Sequence, residues 1–322
     1  MIRSQRHRWI DVLIGGLLAG VSLLIYNATL TPSLSYKSPD GNELATIPYV
    51  LGLAHSTGYP LYTWLGKLFT YLPIGDVAHR INLMSAVLGA AGVGILYWTL
   101  LTLFGRPRTW RQRTAAGFTA LLFAFSRTFW SQTGIAEVYT SNVLMLALTL
   151  FIMLAWARVD EQERAGPGDA WWRRLMPGWR SLILLSLAAL SLGLSLGTHM
   201  SNLGFVPAIG LFVLLVNWRI GVSPAGWLAG ISGFSLGALQ FLWLPIKAGT
   251  LNDRLMSRNA PDTWRGFYSY TLGAFPQFKF AFGWSKVPDR IVLYLALLVQ
   301  QFGVVGVLMG LWGMWVVLFR WP

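Results

Sequence analysis

The chain has no cysteine among its 322 residues. That absence excludes disulfides, thiolate metal sites and a cysteine nucleophile, and it leaves the compartment open. Charge is scarce too: Asp, Glu, Lys and Arg together make up 11% of the sequence. There is no HExxH, no DxD and no P-loop, and Gly89, Gly92 and Gly94 lie inside an apolar segment. Zincin-type metal chemistry and ATP binding therefore have no support. With so little polar sequence there is no room for a separate soluble domain of ordinary size.

What the chain has in excess is apolar surface. Hydrophobic residues are 55% of it, 17 residues are tryptophan, and the mean hydropathy is +0.53. Several segments run about twenty residues without a charge, enough to cross a hydrocarbon core roughly 30 Å thick. This composition predicts an all-α polytopic membrane protein forming a single transmembrane domain over 1–322. Eight spans are expected, at 10–30, 77–104, 114–126, 136–157, 180–197, 202–217, 225–246 and 290–318. The first follows "MIRSQRHRW" and is too long for the apolar region of a signal peptide, so it reads as a retained span. Glycines four apart, Gly16/Gly20, Gly193/Gly197, Gly233/Gly237 and Gly306/Gly310, are expected to let helix backbones approach closely.

The formal net charge of +13 comes from cations that flank the apolar segments. That placement fits membrane topology and anionic lipid, not nucleic acid. Arg3, Arg6 and Arg8, "GRPRTWRQR" (105–113), and Arg158, Arg164, Arg173, Arg174 and Arg180 all fall on one side of an eight-span chain. The positive-inside rule makes that side cytoplasmic, with both termini there and the cell inner membrane as the expected setting. The opposite side receives two long loops, 31–76 and 247–289. The first is expected to hold two short interfacial helices around a turn at "HSTGYP", the earlier one kinked by Pro48.

Few residues can carry chemistry on that face. Asp40 and Glu43 are three apart in "PDGNELA". The spacing fits a capping box, with Asp40 as N-cap and Glu43 at the third helical position. It equally fits a general base, Asp40, with a second carboxylate beside it. A divalent metal shared by the two is a weaker alternative. Glu137, in "TGIAEVYTSN" beside Tyr139, stands where a span begins, and ionisable groups at membrane depth usually face a bundle interior. It also reads as a first-turn acid favoured by the helix dipole, with Arg127 as a candidate partner. His55 and His199 fall on the same face, whereas His7 belongs to the basic tail and His79 opens a span with Arg80. These remote acids and bases are expected to border one pocket open to lipid.

Taken together, three stretches are similar to a known family. "PDGNELATIPYVLGLAHSTGYPLYTWLGKLFTYLPIGDVAHRINLMSA" resembles the first extracytoplasmic loop and second span of the transmembrane protein O-mannosyltransferase-like proteins of the GT-C superfamily. "FWSQTGIAEVYTSN" and "GLSLGTHMSN" resemble that family's second and third motifs, and 244–273 resembles its second large loop. The resemblance implies a GT-C-like bundle and transfer of a sugar, mannose for the animal members, from a polyprenyl-phosphate donor to a protein or glycan hydroxyl. It implies Asp40 as catalytic base and Glu43 as the second carboxylate. Lys67, Arg80 and Arg127, with His55, Glu137, Tyr139 and His199, are the candidates for holding donor phosphate or acceptor. The chain departs from the family at "DGNE" and "HSTGYP". Those departures motivate an alternative, a non-catalytic subunit that binds lipid or a larger membrane complex. A transporter or flippase is a third reading.

Overall fold

The computed structural model describes residues 2–35, 38–165, 177–250, 261, 263–272 and 283–319. Arg173, Arg174 and much of the 247–289 loop lie outside the described residues, as do the side chains of Arg3, Arg6, His7 and Arg8. Among the described residues the chain is helical and has no β-strand. The helices at the predicted spans are α1 (Ile2–Ala28), α4 (Val77–Phe104), α5 (Trp110–Ala124), α7 (Tyr139–Arg164), α8 (Trp179–Ser195), α9 (Phe205–Val216), α10 (Pro224–Ala238) and α13 (Val287–Phe319). Short helices fill the connections: α2 (Pro39–Val50), α3 (Pro60–Phe69), α6 (Arg127–Thr133), α11 (Trp243–Ala248) and α12 (Trp264–Leu272).

A helix accompanies each of the eight predicted spans. Five segments are long and apolar enough to cross a membrane: Trp9–Ala28, Val77–Phe104, Tyr139–Arg164, Pro224–Ala248 and Trp284–Val316. The other three, α5, α8 and α9, have 15, 17 and 12 residues. At about 1.5 Å per residue each falls short of a core roughly 30 Å thick. Turns of 3₁₀ helix at Met200–Gly204 and Trp218–Val222 extend α9 at its two ends.

The spans pack in a row, with α4 and α7 central, α1 and α5 on one flank, and α8, α10 and α9 on the other. Glycine sets the closest crossings, though only partly at the predicted pairs. A Cβ on Gly193 would lie 2.3 Å from the Phe234 carbonyl, and one on Gly233 would lie 2.2 Å from the Ser186 carbonyl. The α8–α10 contact is therefore backbone against backbone. Between α1 and α4 the close residues are Gly15 and Gly94, while no described atom lies within 4 Å of a Cβ built on Gly16 or Gly20. Helix α13 is exposed along its length and meets α6 where Gln301 hydrogen-bonds Thr128.

The bundle has two chemically distinct ends. At one, Asp11 accepts from Arg108 and Arg113, both at 2.7 Å, and Asp160 accepts from Ser181, Arg164 and Asn217. At the other, the Thr31 amide donates to the Gly134 carbonyl, Asn82 donates to the Thr31 carbonyl, and the Tyr62 amide donates to the Gly197 carbonyl. The arginine-bearing connections thus gather opposite the first loop.

Within that loop each helix begins with proline at its first turn, where a missing N–H costs nothing. Pro48 lies inside α2 and cannot donate to the Leu44 carbonyl four residues back. The Tyr62 hydroxyl supplies a donor to that carbonyl at 3.4 Å. Helix α3 crosses so closely here that a Cβ on Gly66 would lie 2.6 Å from the Pro48 ring.

Candidate functional site

The first turn of α2 decides what Asp40 can do. The N-cap is Ser38, whose hydroxyl accepts from the Gly41 amide at 2.9 Å. This corrects the expected capping box. Pro39 occupies the first helical position, Asp40 the second, and Glu43 reaches away from the helix start. The reason is local, because Ser38 is itself a strong cap residue and proline follows it naturally. Asp40 is exposed, and its carboxylate is not spent on a cap. Gly41 is needed here, because a Cβ would lie 3.0 Å from the Ala136 carbonyl, where the chain leading into α7 crosses.

Glu43 binds His55 twice. Oε1 accepts from the His55 backbone amide and Oε2 from Nδ1, each at 2.7 Å. Burial pushes the Glu43 carboxyl up, but the bonds and charge of His55 outweigh it and leave it below the ordinary range. His55 is raised above its ordinary value, chiefly by the hydrogen bond to Glu43, then by the charges of Glu43, Asp40 and Glu137 against the opposing effect of burial. Each oxygen of Glu43 thus accepts one hydrogen bond from His55. Among the described residues no group of three or more His, Asp or Glu is arranged to hold a metal ion.

Glu137 is buried, with 8% of its surface exposed. Its partner is not Arg127 but Ser38, whose hydroxyl donates to Oε1 at 2.5 Å. Burial raises the Glu137 carboxyl above its ordinary value, and the nearby negative charge of Asp40 adds to that. Ser38 therefore serves two masters, capping α2 and holding Glu137.

The third motif delivers His199. Asn202 donates to Asn142 at 2.5 Å and to the Ser195 carbonyl at 3.0 Å, joining the end of α8 to the start of α7. His199 then lies stacked on Tyr139, with ring centroids 6.1 Å apart. Its Nδ1 accepts from the Ser201 amide at 3.3 Å and lies 2.7 Å from the Ser201 hydroxyl, and burial lowers its pKa below the ordinary imidazole value.

Between the histidines stands Tyr59, which sequence reasoning missed. Its ring meets His55 edge-on at 5.2 Å and His199 at 6.4 Å, and its hydroxyl is 3.1 Å from His55 Nε2. The signal was present: a tyrosine between glycine and proline in "TGYP" sits in a constrained turn. Gly58 adopts φ +84°, and Tyr59 itself holds φ +44°. The turn is tied to the second loop, where the Ser56 hydroxyl donates to the Tyr270 carbonyl at 2.6 Å and the Tyr270 hydroxyl donates to the Ala54 carbonyl.

Asp40, Glu43, His55, Glu137, Tyr139 and His199 are thus gathered at one end of the bundle. The predicted cations are elsewhere. Lys67 donates to the Tyr49 carbonyl at 2.6 Å and lies between the Tyr49 and Tyr71 rings. Arg80 spends its guanidinium on the carbonyls of Thr70, Ile74 and Gly75. Arg127 opens α6 with an exposed side chain. Separately, an apolar cleft of about 350 Å³ lies between α8, α9 and α10, lined by Leu192, Val206, Ile209, Leu214, Trp227 and Ile231 among others.

The fold and site define a polytopic helical membrane protein with a carboxylate–histidine cluster at one end of its bundle. The chain belongs to the family of the protein O-mannosyl-transferase TMEM260 N-terminal domain, whose model matches residues 40–220. It is similar to the protein O-mannosyl-transferase TMEM260 of Mus musculus, 32% identical over 248 residues, which are 75% of this chain and 31% of the mouse protein. It is also similar to the protein O-mannosyl-transferase tmem260 of Dictyostelium discoideum, 25% identical over 327 residues, covering 97% of this chain and 38% of that protein. The chain spans about a third of the length of these curated relatives. No solved structure matches it significantly.

Proposed function

We propose that the chain is a membrane glycosyltransferase of the inverting GT-C type, moving mannose from a polyprenyl-phosphate donor to a hydroxyl of a protein acceptor. The names of its relatives supply the sugar and the acceptor class. The observation that carries the reading is the position of Asp40: released from capping by Ser38, exposed, and close to Glu137 and His55. A carboxylate so placed can take the acceptor's proton as its oxygen attacks the sugar carbon. Glu137 and Ser38 hold the turn that carries it. The apolar cleft between α8, α9 and α10 suits an isoprenoid tail. The arginine-bearing connections at the opposite end of the bundle support an extracytoplasmic site under the positive-inside rule.

The test is Asp40→Asn in the full chain reconstituted with polyprenyl-phosphate mannose and an acceptor peptide. Loss of transfer, with the melting temperature kept, is expected. Full transfer by the folded variant overturns the assignment. A second reading, a non-catalytic subunit binding lipid or a membrane complex, draws on the exposure of Asp40. It predicts purification as a stoichiometric component of a larger assembly, with no transfer by the wild type.

A further inference from the structure

A departing phosphate needs a donor, and the basic residues that sequence reasoning offered are engaged elsewhere or stand outside the cluster. Lys67 and Arg80 donate to backbone carbonyls, and Arg127 stands exposed at the start of α6. Within the cluster one line of hydrogen bonds leads outward. Glu43 fixes the imidazole of His55 through both its amide and Nδ1, so that ring can turn only Nε2 toward Tyr59. When His55 carries both hydrogens, Nε2–H donates to the Tyr59 oxygen, and the phenol hydrogen is left to point elsewhere. Among the described residues the Tyr59 hydroxyl has no second hydrogen bond.

The backbone at Tyr59 adds a second observation. A bulky residue with φ +44° and ψ +56° occupies a region that side chains avoid, and such strain concentrates at functional sites. The strain fixes a residue that is only 8% exposed, with its ring between two histidines. Titratable groups face His55 and Tyr59 from several elements among the described residues. They are Glu43 and Asp40 on α2, Glu137 before α7, Tyr139 on α7, His199 after α8, and Tyr270 on α12. Burial, then the carboxylates, pushes the Tyr59 hydroxyl up to about 12, so it remains a donor at any physiological pH.

We propose that Glu43, His55 and Tyr59 form a relay that donates a proton to the departing polyprenyl phosphate, with the Tyr59 hydroxyl touching the phosphate and the other two acting through it. The inference rests on the transferase reading. As the acceptor oxygen bonds to the sugar carbon, the bond from that carbon to the phosphate oxygen breaks. The acceptor's proton goes to Asp40. The Tyr59 proton passes to the phosphate while the Nε2 proton of His55 passes to Tyr59. Carboxylate, imidazolium and phosphodiester anion become neutral acid, neutral imidazole and phosphomonoester monoanion, so one negative charge stands on each side. A phosphate monoester has its second pKa at about 6, within about a unit of an ordinary imidazolium, so the proton is handed over near balance as the bond breaks.

The experiment compares the wild-type full chain with Tyr59→Phe and His55→Gln in nanodiscs. Transfer from polyprenyl-phosphate mannose is followed against pH, and binding of farnesyl phosphate is measured in parallel. Removing a general acid is expected to lower kcat about 100-fold with little change in donor KM. The wild-type fall in kcat on the alkaline side, set by His55 losing its proton, is expected to vanish in both variants. Farnesyl phosphate affinity is expected to fall about tenfold in Tyr59→Phe, roughly 1.4 kcal/mol. Wild-type kcat and an unchanged alkaline limb in Tyr59→Phe overturn the relay while leaving the transferase reading intact. If the wild type transfers nothing at any pH, the transferase reading fails instead. Binding then decides: equal affinity in wild type and Tyr59→Phe overturns the phosphate contact as well.

Discussion

Glu43 holds His55 at two points 2.7 Å away, the backbone amide on Oε1 and Nδ1 on Oε2, so a segment twelve residues downstream is fixed to α2. The folded-state pKa of Glu43 is lowered, so its contribution to stability is complete above the unfolded value and is lost as pH falls through the folded one. That of His55 is raised, so its contribution is complete below the unfolded value and is lost as pH rises through the folded one. Both contributions are whole only between the ordinary values of 4.5 and 6.5. The melting-temperature difference between wild type and Glu43→Gln is expected to peak in that window. Both side chains are about a third exposed, which keeps the effect modest. A difference that stays flat from acid to alkaline pH would show that the pair is not charged.

Ser38 and Asp40 separate capping from chemistry. Ser38→Ala removes the N-cap and the hydroxyl that serves Glu137, and is expected to cost about 1 kcal/mol of stability. Asp40→Asn loses favourable interactions with the helix dipole and with His55 but also a repulsion with Glu137, and should melt closer to wild type. Thermal unfolding in detergent measures both. Equal losses would mean that Asp40 shares the cap.

Much of this arrangement was legible in the sequence. Uncharged runs and glycine-rich segments predict the helical bundle, and Asp40, His55, Glu137 and His199 fall on one face by counting spans. The pairing within that face was not legible, because it depends on which hydroxyl wins the cap. Ser38 precedes a proline, and once it takes the cap Glu43 is free to reach His55. Tyr59 escaped for a related reason: its role comes from a left-handed backbone that only the folded turn imposes. The long cations misled because reach alone does not say whether a carbonyl nearby will claim them, as those of Thr70, Ile74 and Gly75 claim Arg80.

Arg80 therefore makes a sharp prediction. Arg80→Gln leaves three carbonyls between the end of α3 and the start of α4 short of a charged donor, and should cost about 1.5–3 kcal/mol. Its KM for a polyprenyl-phosphate donor should match that of the wild type. A raised donor KM without loss of stability would return Arg80 to the phosphate.

Glycine position decides the next case. Gly233→Ala places a methyl carbon 2.2 Å from the Ser186 carbonyl, so α8 and α10 must separate. Overpacking of that kind typically costs about 1–3 kcal/mol. Gly16→Ala meets no described atom within 4 Å and should be neutral or slightly stabilising through helix propensity. Melting curves of the two variants side by side would refute the crossing if their order were reversed.

At the arginine-bearing end, Asp11 is the counter-charge for two cations of unequal exposure. Arg113 has a side chain only 2% exposed and a buried Nη2 without a hydrogen-bond partner among the described residues, whereas Arg108 is 23% exposed. Asp11→Ala would leave Arg113 charged and dry between α1, α4 and α5, and removing one partner of such a pair costs about 3–5 kcal/mol. Arg108→Gln leaves the Asp11–Arg113 bond in place and loses a partly solvated contact, which should cost about 1 kcal/mol or less. The asymmetry can be read by chemical unfolding in mixed micelles. Because this pair lies at the far end of the bundle from the histidines, Arg108→Gln should leave the pH profile of transfer unchanged. Equal costs for the two variants would mean that water reaches Arg113, and that the three helices are not locked by a dry ion pair.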